Sequence, residues 1–206
     1  MATAGKKEAG YGEGHRERVR ERLLSQGGDG LLDHELVEFL LAQAIPRIDT
    51  KPLAKQLIEH YGSLTALFSA DTENLKRQPG LGERSVATLK IVQAVALRML
   101  SEPVRQQPIL ASWLSLLDYL RADMAHLTIE RVRVLYLNSK NMLIRDEIAS
   151  EGSIDQAAIY IREVVKRAID LGATAIVLVH NHPSGDSAPS RQDISMTREI
   201  TDVGKK

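Results

Sequence analysis

Two histidines and an aspartate near the end of this 206-residue sequence have the types and the spacing of a metal-binding site. His180 and His182 follow an apolar run, and residues two apart on an extended chain project from the same face. Asp193 lies beyond a polar loop, in the first turn of a predicted helix, where it can fold back as a third ligand. Two imidazoles and one carboxylate leave zinc one open position, which is typical of catalytic sites, and water bound there has a pKa of about 7.

The same residues also have simpler interpretations. Ser190 and Asp193 form the S-x-x-D pattern of a helix capping box, and taken alone this pattern favours a cap over a ligand. The two roles are compatible, because a cap makes the first helical turn rigid and a metal ligand needs rigid support. Histidines at strand ends are most often surface residues, but two in register before Pro183 favour the metal site. The string HNH at 180–182 does not indicate an HNH nuclease, whose residues are dispersed over a ββα unit.

The second half of the chain, 111–206, is predicted to form an α/β domain. In RVRVLYLN, arginine and apolar residues alternate, and the turn at 139–141 joins this stretch to MLIRDEIAS in a predicted hairpin. The continuous apolar run TAIVLVH is typical of a central strand covered on both faces. Helices are predicted at 112–122, at 157–171 and from Ser190 onward. The histidines therefore lie where a buried strand emerges.

The first half of the chain is predicted to be helical. Residues 1–14 are rich in Gly, Ala and Lys without periodicity, so a disordered tail is expected there. Residues 15–100 show helical periodicity and are expected to form one all-α domain. Its predicted helices begin near His15, at Asp33 and after Thr50, and continue at 63–69, 71–77 and 83–99. The stretch 101–110 contains two prolines and no period, so we expect the linker between the domains there.

The sequence QPGLGE at 78–83 resembles the turn of a helix-hairpin-helix, because it separates a short helix from a long one. Such a turn presents backbone N–H groups at a helix N-terminus, which suits a DNA phosphate and reads no bases. Gly80, Gly82 and Arg84 are the candidate contacts. A structural turn that only packs two helices explains the pattern equally well, so both interpretations stay open.

Composition excludes several classes of protein. No cysteine occurs, which excludes disulfides, thiolate nucleophiles and Cys-ligated zinc. Lys and Arg together number 27, as do Asp and Glu, so the net charge gives no sign of nucleic-acid or membrane binding. The N-terminus lacks the apolar stretch of a secretory signal, and the apolar runs are far shorter than a membrane span. We therefore expect a cytoplasmic protein without a membrane partner.

The segment HNHPSGDSAPSRQD at 180–193 resembles the JAMM (MPN-plus) signature, and in this form it is similar to the bacterial RadC family. ERVRVLYLNSKNMLIRDE and REVVKRAIDLGA also resemble RadC proteins, and the first half resembles the helical domain that this family usually carries. The resemblance covers residues 15–206. It implies a multidomain fold, with an all-α N-terminal domain containing a helix-hairpin-helix-like turn. An α/β JAMM domain of the cytidine deaminase-like type, with a mixed sheet, follows.

The resemblance also implies a function and the residues that perform it. His180, His182 and Asp193 are then zinc ligands, and Ser190 helps to hold the oxyanion of the reaction beside the metal. JAMM enzymes cleave amide or isopeptide bonds, so a zinc-dependent metalloprotease-like hydrolase with a protein or peptide substrate is implied. The alternative is a DNA-associated protein linked to DNA repair or recombination. In that case the JAMM fold is a binding module and the turn at 78–83 contacts DNA non-specifically.

JAMM enzymes need an upstream glutamate as general base, and four glutamates are candidates. Glu163 lies off the apolar face of its predicted helix, where solvation explains it. Glu147 and Glu151 lie at or beyond a strand end, and a solvated position explains them equally well. Glu130 opens the strand ERVRVLYL in phase with Val132, and it corresponds to the family's glutamate at the start of the first strand. We therefore predict Glu130 as the base.

The chain stops at TDVGKK, in or just after the helix that carries Asp193. RadC-like sequences normally continue from this helix into at least one more strand, and no segment here resembles it. We therefore expect a C-terminally truncated member of the family. All metal ligands are present, but a sheet edge is expected to be left uncovered, with a loss of stability.

Overall fold

The structure, a computed structural model, describes residues 13–152 and 161–205. The chain divides into two compact units, Met1–Gln93 and Ala94–Lys206, and each unit has its own apolar core. The disordered tail predicted for 1–14 falls mostly on residues 1–12, which lie outside the described residues. The first helix already begins at Glu13, so the predicted tail extends slightly too far.

The described part of the first unit is helical, as predicted. Its helices are α1 (Glu13–Gln26), α2 (Asp33–Ala44), α3 (Lys51–Tyr61), α4 (Leu64–Ser69), α5 (Thr72–Lys76) and the first part of α6 (Glu83–Gln106), with a short 3-10 helix at Gly28–Gly30. Ser63 Oγ accepts the Ala66 N–H at 3.1 Å, and Asp71 Oδ1 accepts the Asn74 N–H at 2.8 Å. These side chains satisfy backbone donors that a helix start leaves unpaired, so α4 and α5 begin where they do. Gly62 ends α3 with a φ of 78°, a conformation that favours glycine.

Apolar side chains from α2 to α6 form the core of the first unit. Each helix turns one apolar stripe inward, so leucine and valine dominate the interior. The buried members are Val37, Leu41, Ala54, Leu57, Leu67, Leu75, Leu81, Val86 and Leu89. One polar contact supports this packing, because Thr50 Oγ1 donates to the Glu38 carbonyl at 2.9 Å and ties the start of α3 to α2.

Helix α6 is longer than the sequence pattern predicts. Residues 101–106, expected in a linker, form its last turns, although Pro103 removes one N–H donor from the helix. Val104 is fully buried in the core of the second unit, and this burial stabilises the turns around the proline. The division between the compact units falls within α6, after Gln93, upstream of the expected linker. No helix in the described residues is both long and apolar enough to cross a membrane.

The second unit combines a three-stranded sheet with helices. Its elements are α7 (Trp113–Met124), β1 (Glu130–Leu137), β2 (Leu143–Gly152), α8 (Ile161–Asp170), β3 (Ala175–His180) and α9 (Arg191–Gly204). The predicted hairpin is confirmed, since β1 and β2 pair antiparallel. In its turn, Asn138 Oδ1 accepts the N–H groups of Lys140 at 2.9 Å and Met142 at 3.0 Å. Of the helix predicted at 157–171, residues 157–160 lie outside the described residues.

The structure corrects two details of the predicted sheet. The strand order is β2–β1–β3, and both pairings among the described strands are antiparallel, so this part of the sheet is not mixed. In addition, β1 is central among the described strands and β3 lies at the edge of this three-stranded group. The path of the chain gives the reason. β2 and β3 run in the same direction, but the connection through α8 places β3 on the far side of β1, so the two never pair.

Helices α7 and α8 cover opposite faces of the sheet. Odd-numbered residues of β1 and β3, such as Leu135 and Val177, pack in the core that includes Leu116 and Leu120 of α7. Even-numbered residues, including Val134, Tyr136, Ile176 and Leu178, pack with Val164 of α8. β3 therefore packs against a core on each face, but its apolar side chains are only partly buried, less than its continuous apolar run predicts.

The face toward α7 also buries a polar network around Arg133. The guanidinium donates to both carboxylate oxygens of Asp146, from Nε at 2.9 Å and from Nη2 at 3.0 Å, and it also pairs with Asp123. Tyr119 donates to Asp146 at 2.8 Å and accepts from Arg133 at 3.1 Å. Only 2% of the Asp146 side chain is exposed. Burial and the Asp146 charge raise the pKa of Tyr119, so its hydroxyl remains a donor.

Removing one partner of this network should destabilise the second unit. We expect Asp146→Ala to lower the free energy of unfolding by about 3–5 kcal/mol, because it leaves the buried Arg133 charge without its bidentate partner. The control is Asp118→Ala, since Asp118 is exposed, lies 4.0 Å from Arg121, and belongs to a class of pair worth about 0–1 kcal/mol. Urea unfolding measures both variants, and equal losses would contradict this account of the network.

Candidate metal centre

The end of β3 and the start of α9 bring His180, His182 and Asp193 together. Ligand atoms of the three side chains all lie within 4.8 Å of one another, and the described residues contain no other such group. Asp193 Oδ2 is 3.5 Å from His180 Nε2 and 3.7 Å from His182 Nε2. The two imidazole rings are tilted by 34°, with centroids 4.6 Å apart. Between 13% and 23% of each side chain is exposed, so the cluster is accessible from solvent.

These separations fit a zinc ion. Ligand atoms lie about 2.0–2.2 Å from tetrahedral zinc, which places two neighbouring ligand atoms roughly 3.3 Å apart. The histidine–aspartate separations of 3.5 and 3.7 Å are close to this value and longer than a good N–H···O hydrogen bond. Two imidazoles and a carboxylate also form a donor set that zinc accepts. The three residues could therefore hold zinc with one coordination position left open.

A capping box holds Asp193 in the cluster. Ser190 Oγ accepts the Asp193 N–H at 3.1 Å, and Asp193 Oδ2 accepts the Ser190 N–H at 2.7 Å. The helix cap and the three-residue cluster therefore occur together. The S-x-x-D pattern thus forms a cap whose aspartate also lies beside the two histidines. Burial raises the pKa of Asp193, but the hydrogen bonds from Ser190 and the charges of His180 and His182 lower it further, below its ordinary value. The carboxylate is thus kept ionised, the state in which it binds a cation.

Ser190 is exposed at the N-cap of α9, beside the cluster. Its hydroxyl oxygen accepts the Asp193 N–H, and a serine hydroxyl that accepts one hydrogen bond still has its own O–H to donate. The cap fixes the position of the oxygen, while the hydrogen can rotate toward a ligand. This arrangement can offer one hydrogen bond to an oxygen atom bound next to His180 and His182.

The register of β1 against β3 places Glu130 on the face of the sheet that carries the histidines. Val132 is the direct partner of His180, and directly opposed residues of an antiparallel pair point the same way. Glu130 lies two residues before Val132 and therefore shares its face. The same register, extended past the end of β3, brings Glu130 level with His182. Its carboxylate lies outside the three-residue cluster, which suits a base better than a ligand.

The other three candidate glutamates are less well placed. Arg167 binds Glu147 from Nη2 at 2.6 Å and from Nε at 3.1 Å, and this contact lowers the pKa of Glu147. Glu151 is opposite Arg131, accepts its Nε–H at 2.9 Å, and lies on the face turned away from the histidines. Glu163 is exposed in the first turn of α8. Geometry therefore favours Glu130.

The sequence patterns do not single out Asn181, which lies between the two histidines. Its side-chain Oδ1 accepts the Arg131 N–H at 2.8 Å, and its Nδ2 donates to the Ile129 carbonyl at 3.1 Å. Its backbone N–H donates to the Arg131 carbonyl at 3.4 Å. No local periodicity reveals these contacts, because they join residues 50 and 52 positions apart and depend on strand register.

The turn at 78–83 has a structural role at one of its glycines. Gly80 has a φ of 87°, and a Cβ there would lie only 3.3 Å from Leu53 of α3. Packing therefore explains Gly80 without any ligand. Gly82 differs, because a Cβ at this position would meet nothing within 4 Å, and Arg84 is exposed. Gly82 and Arg84 remain accessible at the start of α6.

Comparison with known proteins accounts for both halves of the chain. Residues 110–206 match the family described as RadC-like JAB domain, and residues 14–87 match the family described as UPF0758 N-terminal. A UPF0758 protein of Rhodobacter capsulatus is 48% identical over 182 residues, which cover 88% of this chain and 85% of the relative. A UPF0758 protein of Ruegeria pomeroyi is 46% identical over 190 residues, covering 92% and 85%.

A helical first unit followed by a JAB domain of the JAMM type defines a RadC-like protein, as the resemblance of the sequence predicts. With close to half of all residues identical over most of both chains, this chain belongs to the UPF0758 family. The names of these relatives state no activity.

Proposed function

We propose that this protein is a zinc-dependent hydrolase of the JAMM type, acting as a peptidase or isopeptidase. The observation that carries the proposal is the convergence of His180, His182 and Asp193 at separations that fit zinc ligands. Zinc held there would supply a Lewis acid and lower the pKa of a water molecule in its open position to about 7. The RadC-like JAB domain supports the proposal, since this fold is of a type that can bind zinc.

Glu130 is the general base in this proposal. Its carboxylate, on the histidine face of the sheet, accepts a proton from the attacking water and returns it to the leaving amine. Arginines bind Glu147 and Glu151, and Glu163 is exposed on α8, so the strand register favours Glu130 for this exchange. A group that both accepts and returns the proton needs no second acid.

Ser190 is the oxyanion donor, and the surrounding loop supports a large substrate. A hydroxyl fixed by the helix cap can donate to the oxygen on which negative charge develops, and such preorganised donors lower the barrier. Residues 183–190, between the histidines and Asp193, are all exposed, so an extended chain can reach the cluster. A protein or peptide substrate with an amide or isopeptide bond, as in other JAMM enzymes, fits this open site.

Zinc content tests the metal assignment. We expect about one zinc ion per chain in protein purified without chelators, and its loss in His180→Ala and Asp193→Ala, because each change removes one of three protein ligands. The control is His126→Ala, since His126 is exposed and outside the cluster. Elemental analysis measures the content. A wild-type protein that neither contains zinc nor takes it up would falsify the assignment.

Glu130→Gln tests the catalytic role. The variant should keep its zinc, because the ligands are unchanged, while hydrolysis falls at least about 100-fold through loss of proton transfer. Mass spectrometry of a peptide library that includes isopeptide-linked lysines measures cleavage, and chelation should abolish it. Glu151→Gln is the matched control on the opposite face. Full activity in Glu130→Gln removes Glu130 as base, and no cleavage by the zinc-loaded wild type contradicts the proposed function.

Contact with DNA is a second candidate function, favoured by the accessible Gly82 and Arg84. Backbone N–H groups in the first turn of a helix lack intrahelical partners and suit a phosphate, and α6 begins directly after Gly82. The empty space beside Gly82 permits the close approach of a phosphate backbone. Nearby Lys76 pairs with Glu73 at 2.8 Å, so Arg84 is the better candidate for a phosphate contact.

The proposed DNA contact should be independent of DNA sequence and weaken steeply with added salt. Gly82→Val and Arg84→Glu should remove it, whereas Arg121→Glu in the second unit, also at an exposed arginine, should not. Fluorescence anisotropy with short duplexes at low salt measures the affinity. Wild-type protein that does not bind, or binding that survives both changes, would exclude the candidate.

A further inference from the structure

We infer that Asn181 is a positioning residue that holds Glu130 in place beside the metal ligands. The inference rests on the proposed function, and it assigns a role to the residue between the two histidines. The side-chain amide of Asn181 bonds to β1 at Ile129 and at Arg131, the two residues that flank Glu130. β2 pairs with Glu130 from one side, and on the side of β3 this single side chain bonds to the peptide groups before and after the base.

At Arg131 the Asn181 side chain replaces the main chain. Val132 is opposite His180, so the same register sets Arg131 opposite Asn181. Such a hydrogen-bonded pair normally exchanges two backbone bonds, and one of them is present, from the Asn181 N–H to the Arg131 carbonyl at 3.4 Å. For the other bond, the Arg131 N–H donates to the side-chain Oδ1 of Asn181 at 2.8 Å. The carbonyl of residue 181 is thus released, and the chain can turn away toward His182.

At Ile129 the side chain supplies a donor that the main chain lacks. Hydrogen-bonded pairs alternate along an antiparallel ladder, so the next pair after Arg131 and Asn181 would join Ile129 to Pro183. Proline has no N–H to give. Nδ2 of Asn181 donates to the Ile129 carbonyl instead, at 3.1 Å. One amide therefore extends the ladder by the two bonds that the main chain does not make.

This arrangement reconciles two requirements of the site. The chain must leave the sheet after His180 so that His182 and Asp193 can converge, yet β1 must stay in register so that Glu130 faces them. Losing the pairing at 129–131 would free the first residues of β1 from β3. An asparagine satisfies both requirements because its amide carries an acceptor and a donor.

The test compares Asn181→Ala with Asn138→Ala. Asn138 is a matched control, because its side chain also makes two hydrogen bonds to backbone, at the opposite end of β1. Two measurements are made on full-length protein: hydrogen exchange of the Arg131 amide by NMR, and the visible absorption spectrum of the site loaded with Co²⁺. Glu130→Gln and the Asn181→Ala, Glu130→Gln double variant complete the set.

We expect Asn181→Ala to bind Co²⁺ and to speed exchange of the Arg131 amide about tenfold. Its Co²⁺ spectrum should shift as in Glu130→Gln, and the double variant should shift no further, because both changes remove the same interaction. Asn181→Asp, which keeps the acceptor for Arg131, should restore the protection of that amide. Asn138→Ala should leave the spectrum and the Arg131 amide unchanged.

Three results would overturn the inference. Unchanged hydrogen exchange of the Arg131 amide in Asn181→Ala would show that the Asn181 side chain does not hold the start of β1. Faster exchange of the Arg131 amide with an unchanged Co²⁺ spectrum would show that Asn181 holds the start of β1 but does not position Glu130. If the wild type takes up no Co²⁺, the proposed function fails and this inference with it. The first two results leave metal binding intact, so they reject the role of Asn181 alone.

Discussion

The antiparallel pairing of β1 with β3 is the constraint on which the candidate site depends. Because Val132 opposes His180, every residue of β1 has a defined level and face relative to the histidines. A shift of one residue would turn Glu130 to the other face of the sheet. It would also turn the apolar residues of β1 that face α7 toward α8, and those that face α8 toward α7. The packing of the domain and the geometry of the site therefore require the same register.

Burial on both faces of the sheet enforces this register. Val134 and Tyr136 pack with α8, while Leu135 and Leu137 pack near α7, and Arg133 on the α7 face is committed to Asp146 and Asp123. Unlike apolar contacts, these ion pairs depend on direction. Arg133 reaches its carboxylate partners only in one alignment of β1 with β2 and α7. The site thus lies on the exposed end of an otherwise rigid strand pair, where the chain can leave the sheet without disturbing the core.

The sequence predicts the helices of the first unit and the hairpin well, and it singles out the three residues that converge at the end of β3, because each follows from local signals. Capping residues and glycines mark the helix ends, and strand alternation places Glu130 on the face of Val132. What the sequence does not reveal depends on contacts distant along the chain. Among the described strands the position of β3 follows from a crossover, and α6 extends past Pro103 because Val104 is buried. The contacts of Arg133 and Asn181 appear only once the strands are in register.

The central claim is that His180, His182 and Asp193 together form a zinc site. An X-ray absorption spectrum at the zinc K-edge, recorded on protein loaded with one equivalent of zinc, tests it most directly. We expect a four-coordinate shell of nitrogen and oxygen at about 2.0–2.1 Å, with outer-shell scattering from two imidazoles. A six-coordinate oxygen shell, or scattering from fewer than two imidazoles, would show that zinc is bound elsewhere or only loosely, and would contradict the account.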